Sequence, residues 1–138
     1  MDFKYFNYSE FDSPDLPDSG KKFMDKKFIE TLDKIREEVG IPFIINSGYR
    51  TPEYNARPDV GGVPNSAHIR GRAADIRTPS GFKQKEIAKA AVKHGITRIG
   101  FGTNFIHLDN DTTLPYPRTW GYGGKKPKYT YNEILNLA

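Results

Sequence analysis

The sequence predicts an α+β domain, a small antiparallel β-sheet with flanking helices. Three observations carry that prediction. Phe23, Phe28, Ile29, Leu32, Ile35 and Val39 recur at near-helical spacing between residues 22 and 39. The segments 72–77 and 104–109 read as short strands, the second alternating in the way a half-buried strand does. A second helical run, 81–94, separates them, so helix comes first and strands interrupted by helix come after.

Taken in order, Ser13-Pro-Asp-Leu-Pro-Asp-Ser-Gly20 is a turn-rich loop before the first helix. Gly40 and Pro42 supply the stop expected past a helix C-terminus. Residues 41–47 read as a mostly buried strand, and Thr51-Pro52 as an N-cap followed by proline at the first position of a short helix. Pro58, Gly61, Gly62 and Pro64 make 57–67 a loop. Ser80 is the expected cap of helix 81–94, which ends at Gly95. Strands 96–101 and 104–109 turn near Gly102-Thr103, residues 111–128 form a tail rich in Pro, Gly and Tyr, and 132–138 close with a short helix.

A chain of 138 residues is expected to form one domain, 1–138, large enough for a core without staples. The absence of cysteine excludes disulfides, thiolate zinc sites and thiol nucleophiles. No apolar run approaches the roughly 18 residues of a membrane span. The opening Met-Asp-Phe-Lys-Tyr-Phe lacks the order of a signal peptide, so synthesis in the cytoplasm is expected, with any later release by lysis. Net charge is +4, yet residues 1–19 hold five acidic side chains against Lys4 alone, which leaves the remainder strongly basic. A basic body is attracted to polyanions or is simply soluble. No nucleic-acid motif accompanies it, so no nucleic-acid partner is expected, and a monomer is. Lys125-Lys126-Pro127-Lys128 reads as a solvated tail.

Chemistry concentrates on two of the three histidines. His94 sits in the last turn of a predicted helix, where the dipole explains it. His68 lies where a glycine-rich loop meets a strand. In that strand Ala73, Asp75 and Arg77 share one face and Ala74 and Ile76 the other. An aspartate there needs a partner, because an unpaired buried carboxylate is costly. In the strand 104–109, Ile106 and Leu108 face one way and Phe105, His107 and Asp109 the other. His68, Asp75 and His107 therefore read either as a hydrogen-bonded core cluster or as a two-histidine, one-carboxylate metal site with a fourth position open to water.

The pattern Ser66-x-His68-x-x-Gly71-x-Ala73-x-Asp75, followed by His107-x-Asp109, resembles the zinc D-Ala-D-Ala carboxypeptidases of the M15 peptidase family. These are grouped with vancomycin-resistance dipeptidases, phage L-alanyl-D-glutamate endolysins and the zinc fold of Hedgehog domains. Ser47-Gly48-Tyr49-Arg50 is similar to the family's strand-end arginine motif, and Gly61-Gly62-Val63-Pro64-Asn65 to its lead into the serine. The resemblance spans residues 6–120, roughly.

The resemblance implies a Hedgehog/DD-peptidase-like fold that binds one Zn²⁺ per chain through His68, Asp75 and His107. It implies a zinc peptidase cutting peptidoglycan stem peptides, with D-Ala-D-Ala carboxypeptidase first, L-Ala-D-Glu endopeptidase second and a non-catalytic wall-binding module third. Arg50 would hold a substrate carboxylate or the developing oxyanion. Ser66 would bond substrate or shape its loop, and Trp120 would wall the cleft or pack as a lid. Several relatives carry an acidic base three residues before the last histidine ligand, and Asn104 stands there. Asp109 is the candidate base or the carboxylate that fixes an imidazole, with Glu53 a third option.

Overall fold

A computed structural model describes residues 3–137. The first expected helix is two helices, α1 (Ser19–Phe23) and α2 (Lys26–Val39). They break because Asp25 caps α2, its carboxylate accepting from the Lys27 N–H, while the Asp25 N–H donates to the Gly71 carbonyl. Gly71 has φ +69°, and a Cβ there would fall 2.0 Å from the Phe23 carbonyl oxygen, so only glycine lets the two segments touch. The break also turns Phe23 out of the stripe assigned to it. Phe23 is 48% exposed and stacks on Tyr49.

The remaining elements are β1 (Ile45–Ser47), α3 (Pro52–Asn55), β2 (Ala73–Arg77), α4 (Gln84–Lys93), β3 (Arg98–Phe101), β4 (Phe105–Asp109), β5 (Arg118–Gly121) and α5 (Tyr131–Asn136). Thr51 caps α3 as expected, accepting from the Tyr54 N–H. Ser80 does not cap α4. It lies in a short 3-10 turn at φ +54°, and α4 begins only at Gln84, after Lys83 at φ +63°. The buried Gln84 amide explains the delay, donating to Thr78 Oγ1 and to the Gly102 and Phe105 carbonyls, which ties the helix start to the β3–β4 turn. Of the expected strand 41–47 only the last three residues form a strand, and their pairing with β2 shifts register between Ile45 and Ser47.

The sheet has strand order β1-β2-β4-β3-β5. The first three pairings are antiparallel, as expected, and β5 adds to β3 in parallel. That edge strand corrects the reading of 111–128 as a tail. Arg118-Thr-Trp-Gly121 carries no apolar alternation, and its strand character comes from pairing with β3. One sheet face presents Ala74, Ile76, Ile99, Phe101, Ile106 and Leu108 to the core, with Phe28, Ile29, Leu32 and Ile35 of α2 and Ile87, Ala88, Ala90 and Ala91 of α4. Thr130 and Glu133 close a capping box on α5, whose Ile134 joins the same core. Its expected last residue, Ala138, lies outside the described residues.

Candidate metal centre and cleft

The opposite face is built in cross-strand rows. One runs Asp75, His107, Gly100, Trp120 across β2, β4, β3 and β5. The next runs Ala73, Asp109, Arg98, Arg118. Small residues at Ala73 and Gly100 leave room above the sheet. A Cβ on Gly100 would lie 2.5 Å from Tyr122 Oη and 2.7 Å from Trp120 Nε1, so the missing side chain is what lets both aromatics lie over β3 beside His107. The rings of His107 and Trp120 are 5.2 Å apart.

His68 arrives from the loop. Its Nδ1–H donates to the Gly48 carbonyl at 2.7 Å, and the Arg50 N–H donates back to the His68 carbonyl. Those bonds aim Nε2 at Asp75 Oδ1, 3.4 Å away. His107 is held from behind, Nε2–H donating to Asp109 at 2.6 Å, so that Nδ1 faces the same Asp75 oxygen at 2.9 Å. The three ligand atoms lie within 4.8 Å of one another, and all three residues are buried. This arrangement fits a divalent metal. Each imidazole has its far nitrogen satisfied by a fixed oxygen and its near nitrogen turned inward, as ligating histidines do. Two imidazoles and one carboxylate leave a position open.

Burial and the neighbouring carboxylates set the charge of the two imidazoles. Burial depresses His68 and outweighs the pull of Asp75, so its imidazole is held neutral. Burial would raise Asp75, but the adjacent His68 and His107 hold its carboxyl well below the usual range. Burial also opposes charge on His107, yet its hydrogen bonds to Asp109 and Asp75 prevail and lift it to about 9. A metal bound here would displace the proton that Asp75 and Asp109 hold on His107.

The other expected residues fall as follows. Arg50 lines the cleft, but Nε donates to Ser47 Oγ, Nη1 to Asn55 Oδ1 and Nη2 to Asp75 Oδ2. Ser66 also lines it, and its Oγ accepts from the His68 N–H. Asp109 is fully buried behind His107, its oxygens 3.0 and 3.2 Å from Arg98 Nε, with the Asp111 N–H donating to it. Asn104 faces elsewhere, its Oδ1 accepting from the Ser80 N–H. Glu53 is exposed on α3, outside the cleft lining. His94 lies apart, 3.1 Å from Glu38, as its position in the helix suggests.

The cleft encloses about 510 Å³ and takes in residues the sequence reading passed over, namely Arg98, Arg118 and Tyr122. Their signal was available. Arg118, Trp120 and Tyr122 stand two apart, the period that puts side chains on one strand face. Burial, with the Asp75 charge nearby, raises the Tyr122 hydroxyl above its ordinary range, so it stays protonated.

Buried ligand-type side chains at the head of a peptide-sized cleft are the parts that a metallopeptidase requires. The chain is a member of the Peptidase M15 family, whose model matches residues 4–109. The match contains Arg50, His68, Asp75 and His107 and ends at Asp109, before β5. No curated protein sequence matches the chain significantly.

Proposed function

We propose that the protein is a zinc D-Ala-D-Ala carboxypeptidase, removing the terminal D-alanine from peptidoglycan stem peptides. The observation that carries this reading is the convergence of His68, Asp75 and His107, each locked from behind, at one end of a peptide-sized cleft. Zn²⁺ held there supplies Lewis-acid activation of the scissile carbonyl and of water. Around it the chain's own groups divide the work. Arg50 fixes the second oxygen of Asp75 and so the direction of the first. Asp109 and Arg98 fix His107, which makes Asp109 a positioning residue in this reading. Trp120 and Tyr122 wall the cleft, and the protonated Tyr122 hydroxyl can donate to charge that develops on a carbonyl oxygen.

One observation favours a second reading, a wall-binding module that keeps its metal without hydrolysis. Among the described residues, Asp75 and Asp109 are the only carboxylates lining the cleft, and both are fully engaged. Metal analysis beside D-alanine release from a stem pentapeptide, with and without chelator, separates the two. The carboxypeptidase predicts one zinc per chain and release that chelator abolishes and zinc restores. Zinc without release, on both pentapeptide and whole sacculi, supports the binding module. Cleavage of the L-Ala-D-Glu bond instead would make the protein an endopeptidase.

A further inference from the structure

The geometry points to Arg118 as the residue that reads a free carboxylate on the peptide substrate, through a subsite formed with Trp120. The inference deepens the peptidase reading and rests on it for the choice of ligand.

Three arginines line the cleft, and they differ in what already neutralises them. Arg50 is paired with Asp75 and has donors committed to Ser47 and Asn55 as well. Arg98 is paired with Asp109, and its Nη1 donates to the Pro115 carbonyl at 2.6 Å. Arg118 has no carboxylate partner among the described residues, and its side chain is exposed at the cleft. It is nonetheless placed. Its guanidinium carbon lies 5.7 Å from the centre of the Trp120 ring, against which Arg98 also packs at 4.9 Å.

The register sharpens the point. Arg98 and Arg118 are direct partners across β3 and β5. Like charges set opposite each other on neighbouring strands repel, and here one internal carboxylate serves only the inner member. The outer guanidinium is left with an uncompensated charge, stacked on an aromatic face and turned to the cleft. A planar fork held in that way suits a carboxylate, which it can grip through two parallel hydrogen bonds. Trp120 adjoins both His107 and Arg118, so one indole borders the ligand cluster and the subsite alike.

Two carboxylates of a stem peptide have this chemistry, the C-terminal group of D-alanine and the free α-carboxylate of D-isoglutamate. Trp120 is the sole tryptophan, so its fluorescence reports the subsite directly. The metal-loaded protein is titrated with the tetrapeptide L-Ala-D-isoGlu-L-Lys-D-Ala, with its C-terminal amide, and with the form carrying D-isoglutamine. Wild type is expected to lose about tenfold in affinity for one of the two blocked peptides, and which one names the carboxylate. In Arg118→Gln the ratio of free to blocked peptide should fall to near one, and Arg118→Lys should restore part of it. Equal affinity of wild type for all three peptides, or a ratio that Arg118→Gln leaves intact, overturns the assignment. Hydrolysis is measured separately on the pentapeptide. Carboxylate-selective binding without hydrolysis would sink the enzymatic reading and leave the subsite standing.

Discussion

Among single residues, Asp109 shows how a carboxylate's surroundings set its use. It shares a strand face with His107 and borders the cleft, but its oxygens are not free. Instead Arg98 closes on both of its oxygens, His107 donates to one and the Asp111 N–H to the other. A group so enclosed holds an imidazole in place rather than shuttling a proton to solvent. Asp109→Asn is therefore expected to weaken metal binding by about 10- to 100-fold, the usual cost of losing a carboxylate behind a ligating histidine. Titration in metal buffers checks it, and a variant that keeps wild-type affinity while losing turnover would return Asp109 to the role of base. The candidate ligand set was legible in the sequence because metal sites demand particular residue types at particular spacings, and the structure brings those three side chains together. Arg98 was not, since an arginine opening a strand looks like any other until the register sets it opposite Asp109.

For the individual elements, legibility follows the source of each one's stability. The stripe from Phe28 to Val39 and the alternation in β4 are local patterns, and both elements form, though Phe23 leaves the stripe. β5 lacks apolar alternation, and its one periodic signal, Arg118, Trp120 and Tyr122 two apart, is short and lies within a Pro- and Gly-rich stretch, so its strand character shows only in the pairing with β3. The break between α1 and α2 was equally hidden, because its cause, the backbone of Gly71, lies far along the chain. One close contact that bears on the cleft is the one that Trp120 and Tyr122 make over Gly100 of β3. Gly100→Ala would force Trp120 and Tyr122 aside, at a cost of about 1–3 kcal/mol typical of overpacking. The expected outcome is a folded protein with one metal per chain, altered Trp120 emission and lost peptide affinity. Unchanged emission and affinity would mean that the aromatics are not seated as described.

Across the whole molecule, the loop ends around the site are tied together by charged groups that respond to acid. Asp111 is buried, and burial works against its ionisation. The hydrogen bonds from Thr113 and the ion pair with Arg70 overcome that and hold its carboxyl below the ordinary value. A depressed carboxyl stabilises the fold above its unfolded pKa, near 4, and the contribution disappears as pH falls through the lower folded value. Wild type should therefore melt higher than Asp111→Asn near neutral pH, and the gap should narrow as the pH drops below about 4. A gap that stays constant with pH would show that the carboxylate's charge is not what matters.

β5 divides the candidate site along the chain. The candidate ligands are all present by residue 107, His68 on its loop and Asp75 and His107 on antiparallel neighbours. Arg118 and Trp120 come later, after the connection through residues 110–117, and reach the cleft only through parallel pairing with β3. A chain cut before β5 would keep every candidate ligand and lose one wall of the cleft.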